Sequence, residues 1–255
     1  MLTENQINEL SRLFKIDHFS VFREYLQLIF LNELYQLKES VNIFFKGGTC
    51  IHLILNSPRF SEDLDFSTPF KKKEAAQIVR EAVKNIQVQI PEAGIEKLYE
   101  TGKSIRFKLK YKADPFKYPF RIKIDFQTEE SPIFMEKTPL ATLFPIQFFP
   151  IVSRLADEEI FAEKIAALLT RSKGRDFFDL WFLLTKNVKI NKRLINKKLN
   201  KDHGNNLSGK LLEKINKTPE KVIENDLNQF LPTAQRKIVP LLKTELLKMI
   251  GEKFR

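Results

Sequence analysis

The stretch FFKGGTCIHLILNSPRFSEDLDFST, residues 44–68, holds side chains whose types and spacing suit phosphate chemistry. Asp63 and Asp65 lie two residues apart. On a strand, that spacing sends both carboxylates to one side and Leu64 and Phe66 to the other. Adjacent carboxylates repel, and a cation between them relieves the repulsion. Mg2+ accepts oxygen ligands of this kind while retaining waters and substrate phosphates. Asp125 lies on the polar side of a second alternating segment and supplies a third acid if its strand neighbours 63–66. Three such acids suit two metal ions clamping the attacking and leaving oxygens of a phosphoryl or nucleotidyl transfer.

The same stretch contains a second device. Gly47 and Gly48 are adjacent in a chain with only eight glycines. Without side chains they let backbone N–H groups approach a phosphate, and a following helix N-terminus adds partial positive charge. Lys46 brings a cation to this turn and Thr49 a hydroxyl. The spacing is neither a Walker A loop nor a Gly-x-Gly-x-x-Gly fingerprint. Alone, a Gly-Gly turn is more often structural and an Asp-x-Asp pair more often a solvated strand face. Their joint order, with a third acid, favours chemistry.

A further cluster lies in EEIFAEKIAALLTRSKGRDFFDLW, residues 158–181. Lys164 falls within or beside the apolar stripe of Ile160, Phe161, Ile165, Leu168 and Leu169. There it either snorkels to water or meets a buried anion such as a nucleotide phosphate. Asp176 and Asp179 are three apart and share a helix face. In the structural reading Asp176 caps a helix and Asp179 pairs with an arginine. In the functional reading one acid orients or deprotonates an attacking hydroxyl, or binds base or ribose. His18, His52 and His203 lack metal spacing; His52 reads as packed on the helix after Thr49, and none reads as catalytic.

The elements that must carry these groups follow from periodicity. Residues 4–38 read as helices, VNIFF as a buried strand ended by the glycines, and CIHLIL as a helix capped by Thr49. EDLDFS reads as a strand and 71–88 as a helix with Ala75, Ile78, Val79 and Val83 inward. IRFKLKY (105–111) and FRIKIDFQ (120–127) alternate cleanly, joined by turn formers, as a hairpin does. Pro132, Pro139, Pro145 and Pro150 punctuate an irregular stretch that marks a boundary. From about 156 onward the chain is helical and lysine-rich. It divides into a mixed α/β half, 1–150, and an all-helical basic half, 151–255.

Composition sets the class. The 255 residues are 43% hydrophobic and 29% charged, ordinary for a globular protein, and the 23 phenylalanines read as core filling. One cysteine, Cys50, excludes an internal disulfide and reads as a small core residue. No apolar run reaches membrane-span length, and the start lacks signal-peptide order, so the expected location is the cytoplasm. The net charge of +11 favours polyanionic partners. Residues 186–217 hold ten Lys/Arg against Asp202 and Glu213. They are either a solvated helical surface or a phosphate-backbone footprint.

The blocks FKGGT, RFSEDLDF, IKIDF and FAEKIAAL…RSKGRDFFDLW, in this order, resemble the AbiEii/AbiGii-type nucleotidyltransferase toxins of bacterial toxin–antitoxin and phage-abortive systems. The blocks span about residues 40–185. The resemblance implies an α+β, polymerase-β-like nucleotidyltransferase core with a small mixed sheet flanked by helices. A C-terminal all-helical domain would complete the active-site cleft. It implies Mg2+-dependent transfer of a nucleoside monophosphate from an NTP to RNA, most plausibly the tRNA 3′ end, with release of pyrophosphate. It further implies an antitoxin encoded alongside. On this resemblance Lys46, Gly47, Gly48 and Thr49 hold the triphosphate, and Asp63 and Asp65 bind the metals. Lys164 contacts nucleotide phosphates, Asp176 or Asp179 is the acid of the last motif, and Arg59 and Ser61 touch nucleotide or acceptor. The metal role of Asp125 rests on strand alternation rather than on the resemblance. Two alternatives stand beside RNA transfer: a protein acceptor, as in AMPylation or UMPylation, and a non-catalytic nucleic-acid-binding module.

Overall fold

The computed structural model describes residues 1–112, 116, 119–146, 149–199 and 206–254. The chain divides into two compact units, Met1–Asn56 with Phe60–Leu155, and Ser57–Arg59 with Ala156–Arg255.

The first unit is built on a seven-stranded mixed sheet in the order β3-β4-β5-β2-β1-β7-β6. Its strands are β1 (Phe44–Lys46), β2 (Leu64–Ser67), β3 (Gly94–Thr101), β4 (Ser104–Tyr111), β5 (Phe120–Gln127), β6 (Met135–Pro139) and β7 (Ile151–Leu155). Four helices accompany them: α1 (Glu4–Phe14), α2 (His18–Tyr35), α3 (Gly47–Leu55) and α4 (Lys72–Gln89). The two clean alternations form the β4–β5 antiparallel ladder. Ile105, Phe107, Leu109, Ile122, Ile124 and Phe126 are buried on one face together with Leu64 and Phe66 of β2. Phe66 stacks on Phe126 with ring centroids 4.9 Å apart, and Phe45 lies 5.4 Å from Phe66. Most of the abundant phenylalanines are buried in this way, whereas Phe19, Phe134 and Phe149 are exposed. Helix α2 is buried nearly all round, as a helix lacking a polar face must be, and packs against α4. The opposite face of β2, β4 and β5 carries the charged residues of the alternation.

The structure departs from sequence expectation in several places, one being that the expected strand over 41–45 begins only at Phe44, Val41 and Asn42 lying in a 3-10 turn. Strand β3 does not announce itself, because its ladder with β4 slips between Lys97 and Tyr99 and the alternation breaks there. The proline-punctuated stretch contains β6, and β7 follows it, with β7 running parallel to β1. Thr49 is not the cap of α3. The helix starts at Gly47 after Lys46, and Thr49 inside its first turn donates its hydroxyl to the Asp63 carbonyl.

The second unit contains α5 (Asp157–Thr170), α6 (Gly174–Thr185), α7 (Lys192–Lys198), α8 (Leu207–Lys217), α9 (Glu220–Leu227) and α10 (Leu242–Lys253). A Cβ at Gly174 would strike the Ile223 backbone, so glycine permits the close packing of α6 on α9. The unit holds 22 Lys/Arg against 13 Asp/Glu, most of the chain's positive excess.

Candidate active site

Strand pairing places the polar face of the first unit in an ordered row. Lys46 on β1 is opposite Asp65 on β2, Asp65 is beside Asp125 on β5, and Asp125 is opposite Arg106 on β4. Arg106 is in turn opposite Tyr99 on β3. Paired residues on neighbouring strands project to the same face. The row therefore reads cation, acid, acid, cation, aromatic ring across five strands. The expectation that the Asp125 strand neighbours 63–66 is met, with Asp65 and Asp125 in register.

Asp63 lies just before β2 and is half-buried, like Asp65, while Leu64 and Phe66 are buried. Its carboxylate is 3.7 Å from Lys123, and the Arg106 guanidinium donates to Asp125. The hydrogen bond to Asp125, against a smaller opposing effect of burial, holds Arg106 above its ordinary range. Arg106 also lies over the Tyr99 ring, 4.7 Å from its centroid. Beside the row, Ser104 donates to the Gln127 side chain at 2.8 Å. The row floors a cleft of about 210 Å3, lined by Lys46, Asp65, Tyr99, Ser104, Arg106, Asp125 and Gln127 among others.

The glycine pair has a specific place here. Gly47 sits at φ +78°, in the left-handed region that favours glycine, and a Cβ there would strike the Asp65 carboxylate. Gly48 is buried inside α3. The turn thus brings the start of α3 directly against an acid of the row. The Thr49 hydroxyl fixes the backbone at Asp63, so turn and acid pair are held as one piece. Ser61 receives the Gln27 amide on its carbonyl at 3.1 Å.

The acids are oxygen donors, partly exposed and adjacent, which fits a hard divalent cation. Among the described residues no group of three or more His, Cys, Asp or Glu is placed to hold a metal by itself. Mg2+ typically takes one or two carboxylates and fills its octahedron with water and phosphate oxygens.

The second cluster lies wholly in the second unit and is a buried charge chain. Arg59 donates to Asp179 through Nε at 2.7 Å and Nη2 at 2.9 Å, and both side chains are almost fully buried. Lys164 Nζ lies 2.7 Å from Asp179 and 3.6 Å from Asp176. Arg171 donates to both oxygens of Asp176, at 2.7 and 2.9 Å. Burial alone would push both carboxyls upward. Arg59 and Lys164 around Asp179, and Arg171 and Lys164 around Asp176, outweigh it and hold both below the usual range. The anion that meets buried Lys164 is therefore the chain's own pair of acids. Asp176 does not cap α6, whose cap position is Lys173, and Asp179 pairs with an arginine, as its structural reading had it.

His18 and His52 add nothing to either cluster. His52 packs on Phe60 and meets the buried Glu24 at 2.7 Å, and His18 is exposed at the start of α2. His203 lies outside the described residues, as does Asp202. Cys50 is buried. No helix among the described residues is long and apolar enough to cross a membrane.

The family described as "Nucleotidyl transferase AbiEii toxin, Type IV TA system" matches residues 29–253. No curated protein matches. Among solved structures, the chain is similar to MenT4, a nucleotidyltransferase toxin of Mycobacterium tuberculosis. The TM-score is 0.62 at 19% identity, over 100% of this chain and 89% of that one. It is also similar to JHP933 from Helicobacter pylori, with TM-score 0.56 at 19% identity over 93% and 96% of the two chains. At this identity the structural likenesses establish the fold.

Proposed function

This chain belongs to the AbiEii family, the nucleotidyltransferase toxins of type IV toxin–antitoxin systems, and we propose that it transfers a nucleoside monophosphate from an NTP to RNA, at the tRNA 3′ end. The observation that carries this reading is the row Lys46–Asp65–Asp125–Arg106 with Gly47 packed on Asp65. A triphosphate needs backbone donors and a cation, and Gly47, Gly48, Thr49 and Lys46 offer them at the start of α3. Asp65, with Asp63 beside it in sequence or Asp125 across the ladder, would hold Mg2+, which when bound neutralises charge on the transferring phosphate. Lys46 and Arg106 flank the acids and keep negative charge from accumulating before nucleotide arrives. Family membership implies an antitoxin partner.

Two features favour RNA as acceptor. The second unit carries most of the positive excess. On α8, Lys210, Lys214 and Lys217 line a cavity of about 350 Å3 with Leu169, Leu199 and Glu213. Lysines spaced along one helix suit a phosphate backbone. Within the second unit Asp176 and Asp179 hold Lys164 and Arg59 in place. The expected location is the cytoplasm, where NTP and tRNA are found.

Incubation with each labelled NTP, Mg2+ and total RNA, followed by gel separation, tests the reading. Label is expected on small RNA. Asp65→Asn should lower incorporation on the order of 10²–10³-fold while the protein stays folded, the usual loss when one preorganised electrostatic group is removed. Label on a protein band and not on RNA would replace the acceptor, and undiminished incorporation by Asp65→Asn would remove the acid pair from the site.

A further inference from the structure

Tyr99 sits where strand alternation alone would not put it. In the β3–β4 ladder Lys97 pairs with Phe107, but the next pair is Tyr99 with Arg106, so Leu98 is an extra residue. Without this bulge Tyr99 would face Ile105 and turn to the buried side of the sheet. With it, the ring joins the charged face, lies on the Arg106 guanidinium at 4.7 Å and remains 41% exposed. Bulges of this kind are common beside active sites, where they re-aim a side chain. The ring closes one end of the cleft that Asp65 and Asp125 floor, next to the hydrogen-bonded Ser104 and Gln127. Stacking ring, guanidinium, amide and hydroxyl are the groups that hold a nucleobase.

The direction of the row says which nucleobase. In-line displacement places the attacking and leaving oxygens on opposite sides of the α-phosphorus. The Gly47–Gly48 turn and Lys46 lie at one end of the row, where the departing pyrophosphate would be held. The attacking group must then approach from the other end, past Asp125. We propose that Tyr99, with Ser104 and Gln127, forms the acceptor subsite and stacks the 3′-terminal base of a single-stranded RNA. This assignment rests on the nucleotidyl transfer to RNA proposed above. In the step it serves, the terminal hydroxyl oxygen forms a bond to the α-phosphorus and its proton passes to the Asp125 carboxylate. The bond from the α-phosphorus to the bridging oxygen breaks, and that oxygen leaves with pyrophosphate.

The test is anisotropy of a short single-stranded RNA, dye-labelled at its 5′ end and bearing a free 3′-hydroxyl, titrated with the full-length protein without NTP. Tyr99→Ala should weaken binding about 5- to 150-fold, the range for losing one base–aromatic stack. Tyr99→Phe and Tyr99→Trp, which keep a ring, should bind nearly as wild type. The same RNA with an abasic 3′-terminal nucleotide should bind wild-type protein more weakly than the intact RNA by the same factor, a comparison that needs no variant. A fluorescent NTP analogue should bind Tyr99→Ala as it binds wild type. Equal binding of intact and abasic RNA overturns the subsite, as does loss of the NTP analogue in place of RNA. If Tyr99-dependent RNA binding holds but no RNA is labelled from NTP, the subsite stands and the reaction falls. If RNA is labelled while neither Tyr99 nor the terminal base matters, the reaction stands and the subsite falls.

Discussion

Removing the Asp179 carboxylate should be among the most destabilising single changes in this chain. The acid is fully buried, accepts two hydrogen bonds from a guanidinium that is itself 2% exposed, and lies 2.7 Å from a lysine that is 10% exposed. Asp179→Ala leaves both cations buried with their shared counter-charge gone. Deleting one partner of a buried ion pair typically costs about 3–5 kcal/mol. With a urea slope of about 1–3 kcal/mol/M, the unfolding midpoint should fall by roughly 1–5 M. The pH dependence gives an independent check. The folded carboxyl is held below its ordinary value, so its contribution is present above about pH 4, the unfolded aspartate value. It fades as pH falls through the lower folded value. The gap between wild type and Asp179→Ala in urea unfolding should be full at pH 7 and narrow below about pH 4. The double change Arg59→Met with Asp179→Leu should recover much of the loss, because apolar side chains of similar volume often replace a buried pair at little cost. A gap under about 1 kcal/mol at pH 7, or one unaltered by acid, would mean that the buried Asp179 pairing does not hold the unit together.

Gly47→Ala should lower NMP incorporation at least tenfold. A Cβ at positive φ costs about 1–2 kcal/mol, and it must also displace the Asp65 carboxylate; full activity would show that the turn is not coupled to the acid. Changing Lys210, Lys214 and Lys217 together to Gln should weaken RNA binding and reduce the slope of log K against log salt by about 2, since each single-strand phosphate contact contributes about 0.7. An unchanged slope would remove α8 from the footprint. Lys198 tests the other end of the pH scale. Burial would lower it, but Glu163 and Glu159 outweigh that and raise it, so its stabilisation is present below about pH 10.4 and lost only at higher pH. Thermal melts of Lys198→Met should therefore fall below wild type at pH 8 and approach it as the medium becomes strongly alkaline.

Much of the site could be read from residue order. The Asp-x-Asp spacing, the alternation of 120–127 and the glycine pair were enough to anticipate that acids of two strands would meet, and β2 and β5 lie in register at Asp65 and Asp125. What could not be read is the rest of the row. Arg106 looks like any charged residue of an alternating strand until its partner across the ladder is known. Tyr99 is hidden by the bulge, which breaks the two-residue period that makes a strand visible. Strands β6 and β7 sit among prolines that signal turns more loudly than so short a ladder signals pairing. Arg59 could be suspected from its place beside the acid pair, but its partner is 120 residues away and no local period points there.

That distance also bears on biosynthesis. Ser57–Arg59 belong with the helical unit although both flanking segments belong to the other, so the chain crosses between units three times. At a ribosomal pace of about 5–20 residues per second, roughly 6–24 s separate the appearance of Arg59 from that of Asp179. During that interval the guanidinium exists while the carboxylate that grips it in the folded unit has not yet been made. One cut after Leu155 would make the condition permanent, leaving Arg59 on one fragment and Asp179 on the other. A toxin gene interrupted beyond that point would thus yield a fragment with its sheet encoded but without the carboxylate that grips Arg59.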